Sequence, residues 1–185
     1  VEAAEPDPAL RSRFTHHTGL PVHPWRAEEL AAQGPAQAYG AVVAESVLHG
    51  TDLDAALSGV RHVLRPGGVL LFTDMVWTEQ ADPVQATRLH DESLRRFGIP
   101  CASRARWTWT DWRDCLAAHG LGIEQEQLLG PGSPGRAGRP TWRARLVQPR
   151  ASLWALVYSR RMRRFHVPQG WVESRACLAR RDGSR

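Results

Sequence analysis

The 185-residue sequence contains no lysine and no asparagine, so its 24 arginines supply every lasting positive side-chain charge. Codon bias in a GC-rich genome explains such usage better than chemistry does, but the absence still excludes mechanisms. There is no lysine to form a Schiff base, to reach a phosphate from a P-loop or to pair with a serine. Cysteine is scarce as well. Cys101, Cys115 and Cys177 are widely separated and form no Cys-x-x-Cys pair. They read as small, partly buried thiols in a reducing, cytoplasmic setting rather than as a disulfide framework. No apolar run approaches the roughly eighteen residues that a membrane-spanning helix needs. The opening Val1-Glu2-Ala3-Ala4-Glu5 has neither the basic flank nor the apolar segment of a secretory signal. GxSxG, HExxH and GxxxxGK[ST] do not occur.

What is present has the balance of a soluble globular domain, with 42% apolar and 23% charged residues. The length fits one domain over 1–185 with a sizeable core. Charge is distributed unevenly. Residues 1–135 hold 11 Arg against 17 acids, a balance of −6, and residues 136–185 hold 13 Arg against 2 acids, a balance of +11. The basic end keeps open an RNA-binding or anionic-surface reading through "SRRMRRFHVPQGW", although a solvated arginine face is the more common meaning of such a stretch.

Along the chain, Val1 to Glu5 reads as a short strand ending in an acid. "PDPALRSRFTHHTG" follows as a helix opened by proline and stopped by Gly19. "LPVHPW" is a weak strand, and "RAEELAAQGPAQA" a helical turn running into a loop. "YGAVVAES" carries the apolar run Ala41–Ala44, expected of a parallel strand covered on both faces. In "TDLDAALSGVRHVL", Thr51 is the expected N-cap with Asp54 three residues on. Leu53, Ala56, Leu57, Val60 and Leu64 share one helical face. Pro66-Gly67-Gly68 stops that helix, and "VLLFT" leads a buried strand out to Asp74. The unit is βαβ, right-handed by the general rule, and ligands of such sheets bind beyond the carboxyl ends of the strands. Glu5, Glu45, Ser46 and Asp74 are therefore expected on one rim.

Further on, a helix is expected over 83–97, a capped helix from Thr110 to Gly120, and a strand in "LGIEQEQLL". A loop is read over 130–140, a basic amphipathic helix in "ASLWALVYSRRMRRF" and a last strand in "WVESRACLARR". Four tryptophans, Trp77, Trp107, Trp109 and Trp112, crowd into 77–112. They either line a binding surface or anchor a helix on the sheet. Glu5 is placed to accept ribose hydroxyls or to cap the helix after it, and Glu28 and Glu29 read as a solvated helix face. His49 sits near the rim as a candidate base or as a packing histidine. His16, His17 and His23 lack cysteine or carboxylate partners at a known metal-binding spacing, so no metal site is expected there.

Taken together, "YGAVVAESVLHG" and "DLDAALSGVRHVLRPGGVLLFTD" resemble the second half of the core of class I S-adenosylmethionine-dependent methyltransferases. The likeness continues more loosely upstream through "VEAAEPDPAL" and "VHPWRAEEL". It implies a Rossmann-like, doubly wound, mostly parallel sheet with flanking helices, and S-adenosyl-L-methionine as methyl donor. By resemblance, Glu5 would hold the donor's ribose, Ala27 and Glu28 its adenine, and Glu45 and Ser46 its methionine portion. His49 and Asp74 would be the base candidates. Residues 77–109 would form a substrate lid in which Trp77 and Trp107 meet a small-molecule acceptor; nucleic acid is not expected as the acceptor. The family's first strand and glycine-rich loop would lie before Val1, so an N-terminally truncated domain is expected, incomplete or inactive as a methyltransferase. A non-catalytic, methyltransferase-like interaction protein is the alternative.

Overall fold

The computed structural model describes residues 1–103, 107–129, 165 and 167–183. The loop read over 130–140 and, apart from Phe165, the basic helix read from Ala151 onward lie outside the described residues.

The chain opens with β1 (Ala3–Ala4), α1 (Pro8–Thr18) and β2 (Val22–His23). The Asp7 carboxylate caps α1 by accepting from the Ala9 and Leu10 backbone N–H groups. Gly19 ends the helix at φ 69°, a left-handed conformation that glycine adopts without a side-chain clash. β1 and β2 pair in parallel as a small sheet of their own. A 3₁₀ turn, Ala27–Glu29, then runs into the short α2 (Leu30–Gln33).

β3 (Tyr39–Glu45), a 3₁₀ turn at Leu48–Gly50, α3 (Leu53–Val63) and β4 (Leu64–Trp77) form the expected βαβ unit, with β3 and β4 parallel. Its apolar helical face is buried as the spacing requires, with Leu53, Ala56, Leu57, Val60 and Leu64 all nearly inaccessible. Gly59 lets α3 approach the preceding turn, because a Cβ there would stand 2.8 Å from both Ala27 O and Leu30 Cβ.

Three local expectations are corrected. The cap of α3 is Asp52, which accepts from Ala55 N–H, while the Thr51 hydroxyl donates to Leu48 O. β3 is not covered on both faces, since Val43 is 72% exposed. β4 does not end at Asp74: it continues to Trp77, held by antiparallel pairing with β6 from Val69↔Arg180 to Trp77↔Val172.

Beyond β4 come α4 (Pro83–Phe97), α5 (Trp109–Ala118), β5 (Leu121–Leu129) and β6 (Val172–Arg181). The cap of α5 lies two residues before the expected Thr110, because Thr108 and Asp111 form the capping box. The larger sheet runs β3-β4-β6-β5. Among the described residues, the two sheets have two parallel pairings, β1–β2 and β3–β4, and two antiparallel ones, β4–β6 and β5–β6. This is a mixed sheet in a Rossmann-like α/β fold. Residues 70, 72 and 76 of β4 face a core shared with α3 and α5, where Phe72 stacks on Trp112 at 5.5 Å. Met75 and Trp77 face a second core with Ala86 and Leu89 of α4. No described helix is long and apolar enough to cross a membrane.

Candidate active site

Asp74 lies three residues inside the end of β4 and is only 2% exposed. A carboxylate in such a place needs hydrogen-bond donors, and the chain supplies them locally. Oδ2 accepts from the His49 backbone N–H at 3.0 Å, and Oδ1 accepts from Met75 N–H at 2.9 Å. The His49 ring follows its own backbone inward, so Nδ1 lies 2.5 Å from Asp74 Oδ1. That contact is close but not aligned as a hydrogen bond. The two base candidates are thus brought together, the His49 ring lying against the Asp74 carboxylate.

The turn that delivers His49 begins at the carboxyl end of β3. Ser46 there has φ 52°, a left-handed conformation that costs a residue other than glycine about 1–3 kcal/mol and is concentrated at functional sites. Its backbone N–H donates to Thr73 O, which ties the turn to β4 beside Asp74. The Glu45 and Ser46 side chains are exposed at this rim. Glu28 reaches the same loop from the other side, accepting from Asp52 N–H at 3.3 Å. Ala27, next to it, packs against the main core. Glu5 directly follows β1 of the small sheet, its backbone N–H donating to His23 O, and its Oε1 accepts from Asp7 N–H at 2.8 Å, the turn-capping role. Of the rim expected from the sequence, Glu45 and Ser46 are surface groups, whereas Asp74 is an interior one.

The tryptophans divide between two tasks. Trp109 and Trp112 are core residues of α5 packed near Phe72. Trp107 and Trp77, the latter a buried member of the second core at 1% exposure, border a cavity of about 670 Å³ with Thr78, Glu79, Thr108 and Asp111. Trp77 is itself anchored, its Nε1–H donating to Ser103 O at 3.1 Å. Side chains alternate along a strand, so residues 74 and 77 face opposite sides of the sheet. The cavity and the Asp74–His49 pair are two separate groups at the end of β4.

One residue escaped the sequence reading. His90 of α4 is within electrostatic reach of His49, and its Nδ1 is buried with no hydrogen-bond partner among the described residues. Burial pushes its pKa below the ordinary histidine value, the Asp91 charge opposes that shift, and His49 adds to it. The available signal was its place beside Ala86, Leu89 and Ser93 at helical spacing on the inner side of α4.

No family model matches the chain, and no curated protein matches it in sequence. Solved structures do resemble it. The [4+2]-cyclase SpnF superposes with a TM-score of 0.66 at 17% identity, covering 98% of this chain and 66% of its own. Geranyl diphosphate C-methyltransferase from Streptomyces coelicolor A3(2), solved with Mg2+, geranyl diphosphate and S-adenosyl-L-homocysteine, gives 0.64 at 16% identity, covering 98% and 64%. A protein from Galdieria sulphuraria, provisionally described as a sarcosine dimethylglycine methyltransferase, gives 0.61 at 16% identity, covering 97% and 68%. The chain spans about two thirds of the length of these three. It has the Rossmann-like fold of class I S-adenosylmethionine-dependent methyltransferases.

Proposed function

We propose that this protein transfers a methyl group from S-adenosylmethionine to a small-molecule acceptor. The observation that carries the reading is the buried Asp74 carboxylate locked to His49 just inside the rim formed by Glu45 and Ser46. The rim suits the donor chemically: an exposed carboxylate and an exposed hydroxyl match an ammonium and a polar tail. Ala27 and Glu28 flank the same loop as the adenine side of the site, and Glu5 is the ribose candidate. When bound, the donor supplies an electrophilic methyl on a sulfonium. The acceptor's electron pair forms the new bond to carbon as the carbon–sulfur pair returns to sulfur.

His49 accepts the acceptor's proton at Nε2, while Asp74 fixes the ring orientation and stabilises the charge that forms. The rest of the effect is positioning. Trp77 and Trp107, within the lid segment 77–109, hold the acceptor's far end. Three residues of strand separate Asp74 from Trp77, about 10 Å. An acceptor that fills the cavity and reaches His49 must therefore be elongated and pass over the end of β4. The fold alone does not dictate the reaction, since the cyclase shares it.

Label transfer from methyl-labelled S-adenosylmethionine to a panel of elongated amines and phenols tests this. His49→Ala is expected to lower transfer by a factor of about 10²–10⁴, with donor affinity unchanged. Equal rates in the variant and the parent protein would remove His49 as the base.

A further inference from the structure

α3 and α5 bring three unlike ligand groups together. Cys115 and His119 are four residues apart, at the last turn and the C-cap of α5, and so face the same way. Asp54, in the first turn of α3, meets both. Its Oδ1 is 3.6 Å from Cys115 Sγ and 3.3 Å from His119 Nε2, and all three ligand atoms lie within 4.8 Å of one another. We propose that Asp54, Cys115 and His119 form a zinc site that fastens α3 to α5.

The spacing supports the assignment. Zinc binds nitrogen and oxygen at about 2.0–2.2 Å and thiolate sulfur at about 2.3 Å. A tetrahedron with those radii has edges of about 3.3 Å between nitrogen and oxygen and about 3.5 Å between sulfur and oxygen. The observed separations of 3.3 and 3.6 Å match these two edges, and the third pair, Cys115 Sγ and His119 Nε2, lies within 4.8 Å. Hydrogen-bonded clusters reach such distances too, but the ligand set here is specific. A thiolate with an imidazole selects zinc-like ions over magnesium or calcium.

The surroundings contain the outer support that such sites use. Ser58, one turn along α3 from Asp54, has its hydroxyl 3.4 Å from His119 Nδ1. With zinc on Nε2 the ring proton would sit on Nδ1, where the Ser58 hydroxyl can accept it. Cys115 is only 8% exposed, whereas the Asp54 side chain is 64% exposed, so the ion is reached from solvent past Asp54. The fourth position falls to water. His119 also borders a cavity of about 530 Å³ with Arg61, Gly120 and Asp182. Binding would displace the Cys115 proton into solvent, so affinity falls as pH is lowered.

The test uses the whole chain after chelation. Titration with cobalt(II) is expected to give one equivalent of bound ion, a thiolate-to-cobalt charge-transfer band and the strong visible bands of four-coordination. Zinc should displace the cobalt and raise the melting temperature. Cys115→Ser should abolish the charge-transfer band, and Ser58→Ala should weaken zinc binding about tenfold. Cys101→Ser, which leaves the site intact, should change nothing. Absence of the band, or a band that survives Cys115→Ser and disappears with Cys101→Ser, would overturn the proposal. His119→Gln gives a second check on a half-buried residue: undiminished zinc affinity there would also overturn it.

Discussion

Replacing Asp74 with Ala is expected to destabilise the protein by about 3–5 kcal/mol and to abolish catalysis. The carboxylate accepts from His49 N–H and Met75 N–H in a position almost sealed from water. Truncation leaves both donors buried without partners, at about 1–3 kcal/mol each, and leaves a void. It also removes the carboxylate that lies 2.5 Å from the His49 ring. Asp74→Asn keeps the shape and one carbonyl acceptor, so its stability loss should be about half as large. Its transfer rate should still collapse, because an amide stabilises an imidazolium poorly. Urea unfolding and label transfer on the same samples separate the two effects. An Asn variant with parent-like activity would reduce Asp74 to a structural residue.

Trp112→Ala is expected to cost about 3–5 kcal/mol, a large fraction of a typical domain's stability. Trp112 is completely buried, its ring stacked on Phe72 at 20° between α5 and the sheet, and Leu116 and Leu121 belong to the same core. A void that size cannot be closed by a helix pinned at both its Thr108–Asp111 capping box and the β5 junction. Trp112→Phe should cost less than half as much. It retains a ring, and it removes an indole N–H that has no hydrogen-bond partner among the described residues. The midpoint of urea unfolding gives both values. A loss under 1 kcal/mol for the alanine variant would show that α5 is not anchored by this residue.

How far the sequence could be read depended on the range of the interactions involved. Pro8 and Gly19 bounded α1 because a fixed φ and a left-handed cap are properties of single residues. α4 was legible from Pro83 to Phe97 for similar reasons, between Asp82 and Gly98. The caps at Thr51 and Thr110 were misplaced by one or two residues. Each has a second capping residue nearby, and tertiary geometry decides which oxygen reaches a free N–H.

Longer-range effects were harder to see. β4 runs past Asp74 because β6, nearly a hundred residues later, supplies partners as far as Val172. Val43 is exposed although its neighbours read as core, because apolarity alone does not say whether a second layer covers the strand. His49 and Asp74 were found by their place at strand ends, but their contact depends on the left-handed Ser46 turn, which no local preference announces. The Asp54–Cys115–His119 cluster was invisible for the same reason. Two of its ligands share a helix turn, and the third joins from sixty-one residues away.

The central claim is a donor site at the rim of β3 and β4, and calorimetric titration of the 185-residue chain with S-adenosylhomocysteine tests it most directly. The account predicts saturable one-to-one binding that Glu45→Ala weakens about tenfold or more, the worth of one charge-assisted hydrogen bond. No heat of binding at millimolar ligand from a protein that melts cooperatively, or affinity unaltered by Glu45→Ala, would contradict it.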